Sequence, residues 1–323
     1  MALMSCLTLF GFASACTSQN GFRRMPHPEA LPPDILIANQ LDTPICDPFG
    51  SVHTSSVTTS LRNGLKAQIR VPPSSAFEDV AQDIGNGQLL RPIRDSERPI
   101  WEVLYSYLSN QYGAVTVSRE MYARQVNTPT RRFEQGFMMN TNELLQGANG
   151  DPVLEWFNVS FASGVIAADS TEESQYEFAV LSDDGARLKI AGETYFDSPN
   201  PHPTKMLCHD GGVHSSGRWV SISEDHPVDI ELDYFQGPRT QIALVLLWRK
   251  RNSQLENTSS IDQSCGVSGN EAFFNSNTQE SKQRYLDLTS AQISGTSAVT
   301  GGWRVIAPPN FVLPGNAENP CTE

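Results

Sequence analysis

The sequence predicts a mainly β domain with antiparallel strands, and four stretches of apolar residues carry that prediction. Apolar side chains alternate with others over residues 176–180 and 188–190, and with Asp and Glu over residues 228–234. A period of two is typical of half-buried strands, because successive side chains point to opposite faces of a sheet. Residues 242–248 are apolar on both faces, which predicts a central strand.

Turn signals separate these strands. An acidic turn, Ser182-Asp183-Asp184-Gly185, interrupts the first two, and Ala191-Gly192 follows the second. Glycine and Asp are typical turn residues, since glycine tolerates unusual backbone angles and Asp caps neighbouring backbone groups. The acidic turn is therefore the place to look for a functional site.

Upstream, the sequence predicts one strand followed by two short helices. Residues 64–72 are predicted to form the first strand, and residues 77–84 and 100–108 each carry an apolar stripe at helical spacing. The second helix would begin after Arg98-Pro99, since proline is favoured at the first helical position. Both helices are interpreted as insertions into the β domain.

The chain after residue 252 is predicted to be a small appendage. A polar linker over residues 254–260 precedes a predicted helix over residues 279–288, Trp303 and a proline-rich run. A segment of about 60 residues buries little surface by itself. The appendage is therefore expected to pack on the β domain rather than fold alone.

The first residues are typical of an export signal. Residues 3–15 are mostly apolar, too short to span a membrane, and end in small residues directly before Cys16. This pattern predicts a bacterial lipoprotein signal over residues 1–15, with Cys16 as the acylated first residue of the mature chain. The residue after Cys16 is Thr17 rather than Asp, which in such lipoproteins favours the outer membrane. The alternative is an ordinary secretory peptide and a periplasmic or secreted protein.

Residues 16–60 are predicted to be the lipidated end and its tether. Four prolines stand among polar residues between positions 17 and 42. A flexible chain of that length has an end-to-end distance of roughly 30 Å, enough to hold a folded domain away from a bilayer. The predicted membrane contact is through lipid alone.

Six cysteines become four if Cys6 leaves with the signal and Cys16 carries lipid. An even set in an oxidising compartment predicts disulfides, and four cysteines allow three pairings. Cys265 with Cys321 is the favoured pair, because both lie outside the predicted β domain and would close one C-terminal loop. Cys46 with Cys208 would follow.

Several of these segments together resemble the PA14 domain family, whose members are β-sandwich or barrel-like modules of bacterial toxins, glycosidases and adhesins. The matching segments are residues 176–188, a hairpin at Gly192, a turn at Gly217 and residues 230–237 leading to Trp248. The resemblance extends from about Gly64 to Arg249. It implies an antiparallel sandwich over residues 61–252 and a disulfide-closed extension over residues 253–323.

The resemblance also implies a role for the acidic turn. In the fungal adhesin branch of the family, the corresponding Asp pair is joined by a cis peptide and holds a Ca²⁺ that coordinates sugar hydroxyls. Carried over, those roles fall on Asp183 and Asp184, with Gly185 allowing a carbonyl to join them. Asn200 and Asp210 are positional candidates for further ligands. The alternative is a structural turn whose Asp side chains cap their own backbone.

Two other clusters have both a functional and a structural interpretation. The loop over residues 197–217 holds His202, His209 and His214 beside Cys208 and Asp210, which are ligand types that Zn²⁺ accepts, but their spacing fits no structural zinc pattern. A ligand-facing or disulfide-pinned loop is favoured. The basic cluster over residues 249–251 is interpreted as solvated charge at the end of a strand.

Charge and motifs narrow the functional classes. The chain has 23 Lys and Arg against 36 Asp and Glu, a net charge of −13, which repels phosphate backbones and argues against nucleic acid as a partner. Catalytic motifs such as Gly-x-Ser-x-Gly, His-Glu-x-x-His and phosphate-binding glycine loops are absent from the sequence. The resemblance implies a non-enzymatic envelope protein that binds a glycan or a surface partner. The alternatives are an envelope assembly component that binds no sugar and an accessory module of a carbohydrate-active enzyme.

Overall fold

A computed structural model describes fourteen stretches of the chain. They are residues 44–47, 61–71, 77–80, 89–92, 115–116, 120–132, 157–168, 170–209, 218–237, 241–251, 265–269, 292–294, 298–300 and 302–321. The predicted signal, the tether up to residue 43, and the helices predicted over 100–108 and 279–288 lie outside these residues. No helix in the described stretches is long and apolar enough to cross a membrane.

Nineteen strands make up almost all the regular structure of these stretches. In chain order they are β1 Ile45–Cys46, β2 Leu65–Val71, β3 Phe77–Val80, β4 Leu89–Pro92, β5 Val115–Thr116, β6 Met121–Ala123, β7 Asn127–Arg132, β8 Phe157–Val165, β9 Ser174–Asp183, β10 Ala186–Ile190, β11 Glu193–Ser198, β12 Lys205–Leu207, β13 Val220–Ile222, β14 Val228–Gln236, β15 Gln241–Lys250, β16 Gln292–Ser294, β17 Ala298–Thr300, β18 Arg304–Val305 and β19 Phe311–Val312. One turn of 3-10 helix covers Pro308–Asn310. The mainly β prediction is confirmed.

Two sheets form the sandwich. The larger has the order β1-β6-β2-β8-β14-β10-β11, with β5 also paired to β2 and β19 to β8. The smaller has the order β12-β9-β15-β18, with β13 also paired to β9 and β7 to β15. Almost all of these pairs are antiparallel, and the β1–β6 pair is parallel. The strands predicted from alternation, β9, β10 and β14, and the strand predicted from the apolar run, β15, lie at or near the middle of these sheets.

The main core lies between the sheets and takes side chains from both. Val159 and Leu232 come from the larger sheet, and Phe178 and Leu246 from the smaller. The smaller sheet is also covered on its outer face, where Leu181 and its neighbours pack against Trp303 in a second cluster. This second cover explains why β9 and β15 are buried on both faces whereas β10 alternates.

The C-terminal extension packs on the sandwich, as predicted. β18 pairs with β15, and β19 pairs with β8 in the larger sheet. Trp303 and Phe311 are fully buried. The extension therefore contributes strands and core residues to both sheets.

The helix predicted over residues 77–84 is wrong for its first half. Residues 77–80 form β3, which pairs antiparallel with β4. A stripe over eight residues is shorter than most helices, so spacing alone could not exclude a strand. Pairing with β4 gives the backbone groups of β3 partners without a helix.

All four predicted cysteines form disulfides, but the favoured pairing is wrong. Cys46 bonds to Cys321, and Cys208 bonds to Cys265. β19 joins the larger sheet, and the backbone N–H of Asn319 then donates to Leu61 O. The residues after β19 therefore return to the segment just before β2. Cys321 is thereby placed beside β1 rather than in a separate C-terminal loop.

Candidate ligand site at the acidic turn

The acidic turn lies at one end of the sandwich, where β9 passes into β10. β9 ends at Asp183, β10 begins at Ala186, and Asp184 and Gly185 connect them. The peptide bond between Asp183 and Asp184 is cis. Each Asp is only 5% exposed. The pair is therefore built into the sandwich rather than displayed on a loop.

Gly185 is required by close packing. A β-carbon at this position would stand 2.2 Å from Phe235 Cε1 and 2.6 Å from the backbone oxygen of Ser198. Both distances are far below a normal contact, and the second atom belongs to the backbone. The residue after the Asp pair must therefore be glycine for β10 to reach β11 and β14.

The Asp183 carboxylate is held by one residue of the loop before β12. The backbone N–H and the hydroxyl of Thr204 both donate hydrogen bonds to it. The Thr130 hydroxyl of β7 in turn donates to the Thr204 hydroxyl over 3.1 Å. Thr130 and Thr204 are almost fully buried, so these bonds are shielded from water.

The Asp184 carboxylate is held by backbone groups from two loops. The backbone N–H of Gly237, just after β14, donates to Asp184 Oδ2 over 2.7 Å. The backbone N–H of His202 donates a further bond. Three loops thus meet at the pair: the turn itself, the loop before β12 and the loop after β14.

Tyr234 contacts the backbone of the acidic turn from inside the core. Its hydroxyl lies 2.5 Å from Asp183 O and 2.5 Å from Gln236 Oε1. The side chain is completely buried. Burial and the two neighbouring carboxylates raise the pKa of Tyr234 well above its ordinary value, so the phenol remains a neutral hydrogen-bond donor.

The two carboxylates share an unfavourable electrostatic position. Burial raises the pKa of both Asp183 and Asp184, and the charge of Asp184 raises the pKa of Asp183 further. Neither carboxylate forms an ion pair with any side chain in the part of the chain that is described. A cation between them would remove this cost.

The remaining candidate residues are placed as follows. Asn200 lies in the loop before β12 and is exposed, and that loop contacts the pair through His202 and Thr204. Asp210 and His214 lie outside the described residues. Cys208 is in a disulfide, so it is not a thiolate ligand, and the His209 ring packs against Tyr195 with their centroids 4.7 Å apart. Within the described stretches, no group of three His, Cys, Asp or Glu residues could hold a metal.

The basic cluster is not simply solvated, which corrects the interpretation made from sequence. Arg249 is buried, pairs with the buried Glu177, and lies over the Trp303 ring at 4.3 Å. Arg218 pairs with the other oxygen of Glu177. Of the three residues of the cluster, only Lys250 is exposed. Glu177 lies 72 residues from Arg249 in the sequence, so no local pattern indicated the pairing.

Comparison with known proteins gives likeness of fold. No family model and no curated protein matches the chain. The fold is similar to a PA14 sugar-binding domain from an RTX adhesin, with 14% sequence identity, a TM-score of 0.31, and 62% of this chain and 94% of that chain covered. It is also similar to the A domain of Epithelial Adhesin 6 from Candida glabrata in complex with Galβ1-3GlcNAc, with 14% identity, a TM-score of 0.32, and coverage of 68% and 89%.

A third similar structure is an anti-sigma factor domain-containing protein. The identity is 12% and the TM-score 0.34, and 79% of this chain is covered. The match spans about half, 49%, of that longer chain. A PA14 domain is thus one of the solved structures to which this chain is similar.

Proposed function

We propose that this protein binds glycans at the acidic turn, with Ca²⁺ held by Asp183 and Asp184. One observation carries the proposal: two adjacent carboxylates are buried together and oriented by hydrogen bonds, with no described cation beside them. Carboxylate oxygens are the hard donors that Ca²⁺ prefers. The glycan part of the proposal comes from the PA14 resemblance.

The donor set fits such an ion. Ca²⁺ takes six to eight oxygen ligands, including carbonyls, water and ligand hydroxyls, and two carboxylates would leave most of these positions for other oxygens. When bound, the ion supplies a positive centre for neighbouring sugar hydroxyls. Thr204, Gly237 and His202 would keep both carboxylates in place.

The surrounding residues support binding rather than local rearrangement. Gly185 fixes the path of the backbone directly after the pair. Tyr234 holds the carbonyl of Asp183 from below. Because the hydrogen bonds that orient the carboxylates exist before any ligand arrives, little ordering remains to oppose binding.

A glycan array with and without Ca²⁺ tests the proposal. Wild-type protein is expected to bind a subset of glycans with Ca²⁺ and to lose them in EDTA. The double variant Asp183→Asn with Asp184→Asn should bind none. The matched control is Glu224→Gln with Asp225→Asn, which removes the same charge from an exposed turn and should bind as wild type does.

The opposite outcome identifies the alternative. Silence across the array, together with no calcium-dependent change in melting temperature, would contradict glycan binding and favour an envelope assembly component. Binding that survives EDTA would retain a glycan partner and remove the ion. Co-purification with a hydrolase would favour an accessory module.

We also propose that the protein is an outer-membrane lipoprotein anchored at Cys16. The apolar residues 3–15 and the small residues before Cys16 support this. Each buried acyl methylene contributes ~0.8 kcal/mol, so several chains on one cysteine hold a protein to a membrane. Cys16→Ser is expected to release the protein on fractionation. A variant that stays membrane-bound, or wild-type protein that lacks lipid by mass spectrometry, would contradict the anchor.

A further inference from the structure

We propose that Thr204 is the positioning residue of the acidic turn: its side-chain hydroxyl, directed by Thr130, sets the Asp183 carboxylate for the ion. This inference rests on the proposed function, because it assigns a role at the same site. Thr204 belongs to the loop before β12 and is separated from Asp183 by 21 residues in the sequence. It would act on the ligand only through Asp183.

The direction of the hydrogen bonds supports the role. Thr130 donates to the Thr204 oxygen, which occupies that oxygen as an acceptor. The Thr204 proton is then available for Asp183, to which the hydroxyl donates. Hydrogen bonds in such a chain polarise and strengthen one another when they are shielded from water. The two buried hydroxyls therefore select one orientation of the carboxylate.

The two carboxylates differ in how they are held. Asp184 takes its bonds from the backbone N–H groups of Gly237 and His202, which no side-chain substitution removes. Asp183 takes one bond from a backbone N–H and one from a hydroxyl, both of Thr204. The hydroxyl is thus the side-chain donor to the pair that substitution can delete with the backbone intact.

Thr204 is itself held from both sides. On one side β12 pairs with β9, with Lys205 opposite Ser182. On the other side the segment 265–269 pairs with the same stretch: the Gly269 N–H donates to Thr204 O over 3.0 Å, and the Met206 N–H donates to Val267 O over 3.0 Å. The disulfide between Cys208 and Cys265 closes this arrangement. The C-terminal extension therefore supports the ligand site through Thr204.

The expected loss of Ca²⁺ affinity in Thr204→Val follows from the role of the Thr204 hydroxyl. Without it, Asp183 keeps a backbone donor but can turn away, and binding must then order the side chain again. Outer-shell partners of metal ligands typically change affinity 10- to 100-fold when removed. For Thr204→Val we expect Ca²⁺ binding to weaken about tenfold, at the lower end of that range because the backbone donor remains.

Calorimetric titration of the full-length chain with Ca²⁺ alone tests the inference. Thr204→Val keeps the branched shape and removes the hydroxyl, whereas Thr204→Ser keeps the hydroxyl. We expect the Ser variant to bind within about twofold of wild type, because only a methyl group is lost and the donor remains. Thr194→Val, at an exposed position of β11, is the matched control and should change nothing.

A second variant keeps the inference testable if Thr204→Val does not fold, which melting in EDTA would show. Thr130→Val removes only the donor behind Thr204, and binding should weaken by about threefold, since cooperative strengthening is a fraction of one bond. Equal affinity of both Val variants and wild type, or failure of Thr204→Ser to restore binding, would overturn the positioning role. Absence of Ca²⁺ binding by wild type would instead overturn the proposed function and this inference with it.

Discussion

The two ends of strand β9 bury carboxylates in opposite ways. Glu177 and Asp183 are six residues apart, or about 20 Å along a strand, and point to the same face. Glu177 lies between Arg218 and Arg249, with the Glu177 and Arg249 side chains 4% and 3% exposed. Asp183 and Asp184 are equally buried and have hydrogen-bond donors but no described cation.

This difference separates a structural charge from a candidate ligand site. A buried carboxylate is expensive unless it is paired. At Glu177 the chain provides the compensating charges itself, and Trp303 covers one of them. At the acidic turn the described residues orient the carboxylates by hydrogen bonds but place no positive charge beside them. The proposed Ca²⁺ would supply the compensating charge there.

The largest expected effect on stability is at Glu177, the end of β9 whose carboxylate is paired with arginines. Glu177→Gln leaves Arg218 and Arg249 without their shared carboxylate, and breaking a buried pair costs about 3 kcal/mol or more. Denaturant unfolding in EDTA should show that loss. Glu193→Gln, at an exposed position of β11, is the control.

The comparison predicts a much smaller loss of stability at the acidic turn. Asp183→Asn with Asp184→Asn removes buried like charges, so the free energy of unfolding in EDTA should not fall by more than a cap-sized ~1 kcal/mol. If Glu177→Gln lowered stability by less than this double variant does, the two ends would not differ as described.

The second largest expected effect is the stabilisation of the folded state by Ca²⁺. An ion that binds only the folded state stabilises it by RT ln(1 + [Ca²⁺]/Kd), about 2.7 kcal/mol at a hundredfold excess over Kd. Thermal unfolding should show this gain for wild type and for Glu193→Gln, and EDTA should remove it. The Asp183→Asn, Asp184→Asn variant should show no gain. A gain that persists in that variant would place the ion elsewhere.

The sequence predicts those features that depend on adjacent residues. The alternation over residues 228–234 became β14, and the apolar run over residues 242–248 became β15, because strand periodicity is written in adjacent residues. The acidic turn was located for the same reason. These features depend on neighbours in the chain.

What the sequence did not predict depends on distant partners. The correct disulfides require β19 to join the larger sheet beside β8, which brings Cys321 back to Cys46 across 275 residues. Gly237 holds Asp184 through a backbone N–H, and backbone donors leave no mark in composition. Thr204 carries no motif either. Such contacts between distant residues follow from the pairing of the strands and cannot be derived from local sequence.

The third effect tests the packing that distinguishes the acidic turn from an ordinary hairpin. Gly185→Ala forces a β-carbon against Phe235 and the Ser198 backbone, and overpacking of this kind costs about 2 kcal/mol. Gly192→Ala is the matched control: its φ is +81° but nothing lies within 4 Å of the added carbon, so the cost is about 1 kcal/mol.

Calcium titration separates the two glycines further. Gly185→Ala should also weaken Ca²⁺ binding, because the displaced backbone adjoins Asp184, whereas Gly192→Ala should bind as wild type does. Equal losses of stability and affinity in both variants would contradict the packing explanation.

The smallest expected effect is at an exposed ion pair, which separates the contribution of burial at Glu177 from that of pairing alone. Lys66 Nζ lies 2.8 Å from Glu120 Oε1, but the side chains are 46% and 60% exposed. The hydrogen bond from Lys66 lowers the pKa of Glu120, so the pair contributes above the ordinary Glu pKa and is lost as pH falls through the lowered value. Solvent screens an exposed pair, and a double-mutant cycle of Lys66→Met and Glu120→Gln at pH 7 should give about 0.3 kcal/mol. The coupling should be lost as pH falls through the lowered pKa of Glu120 and the carboxylate is protonated. A coupling as large as the loss at Glu177 would mean that exposed and buried pairs stabilise this fold equally, and burial would then not explain the large effect expected at Glu177.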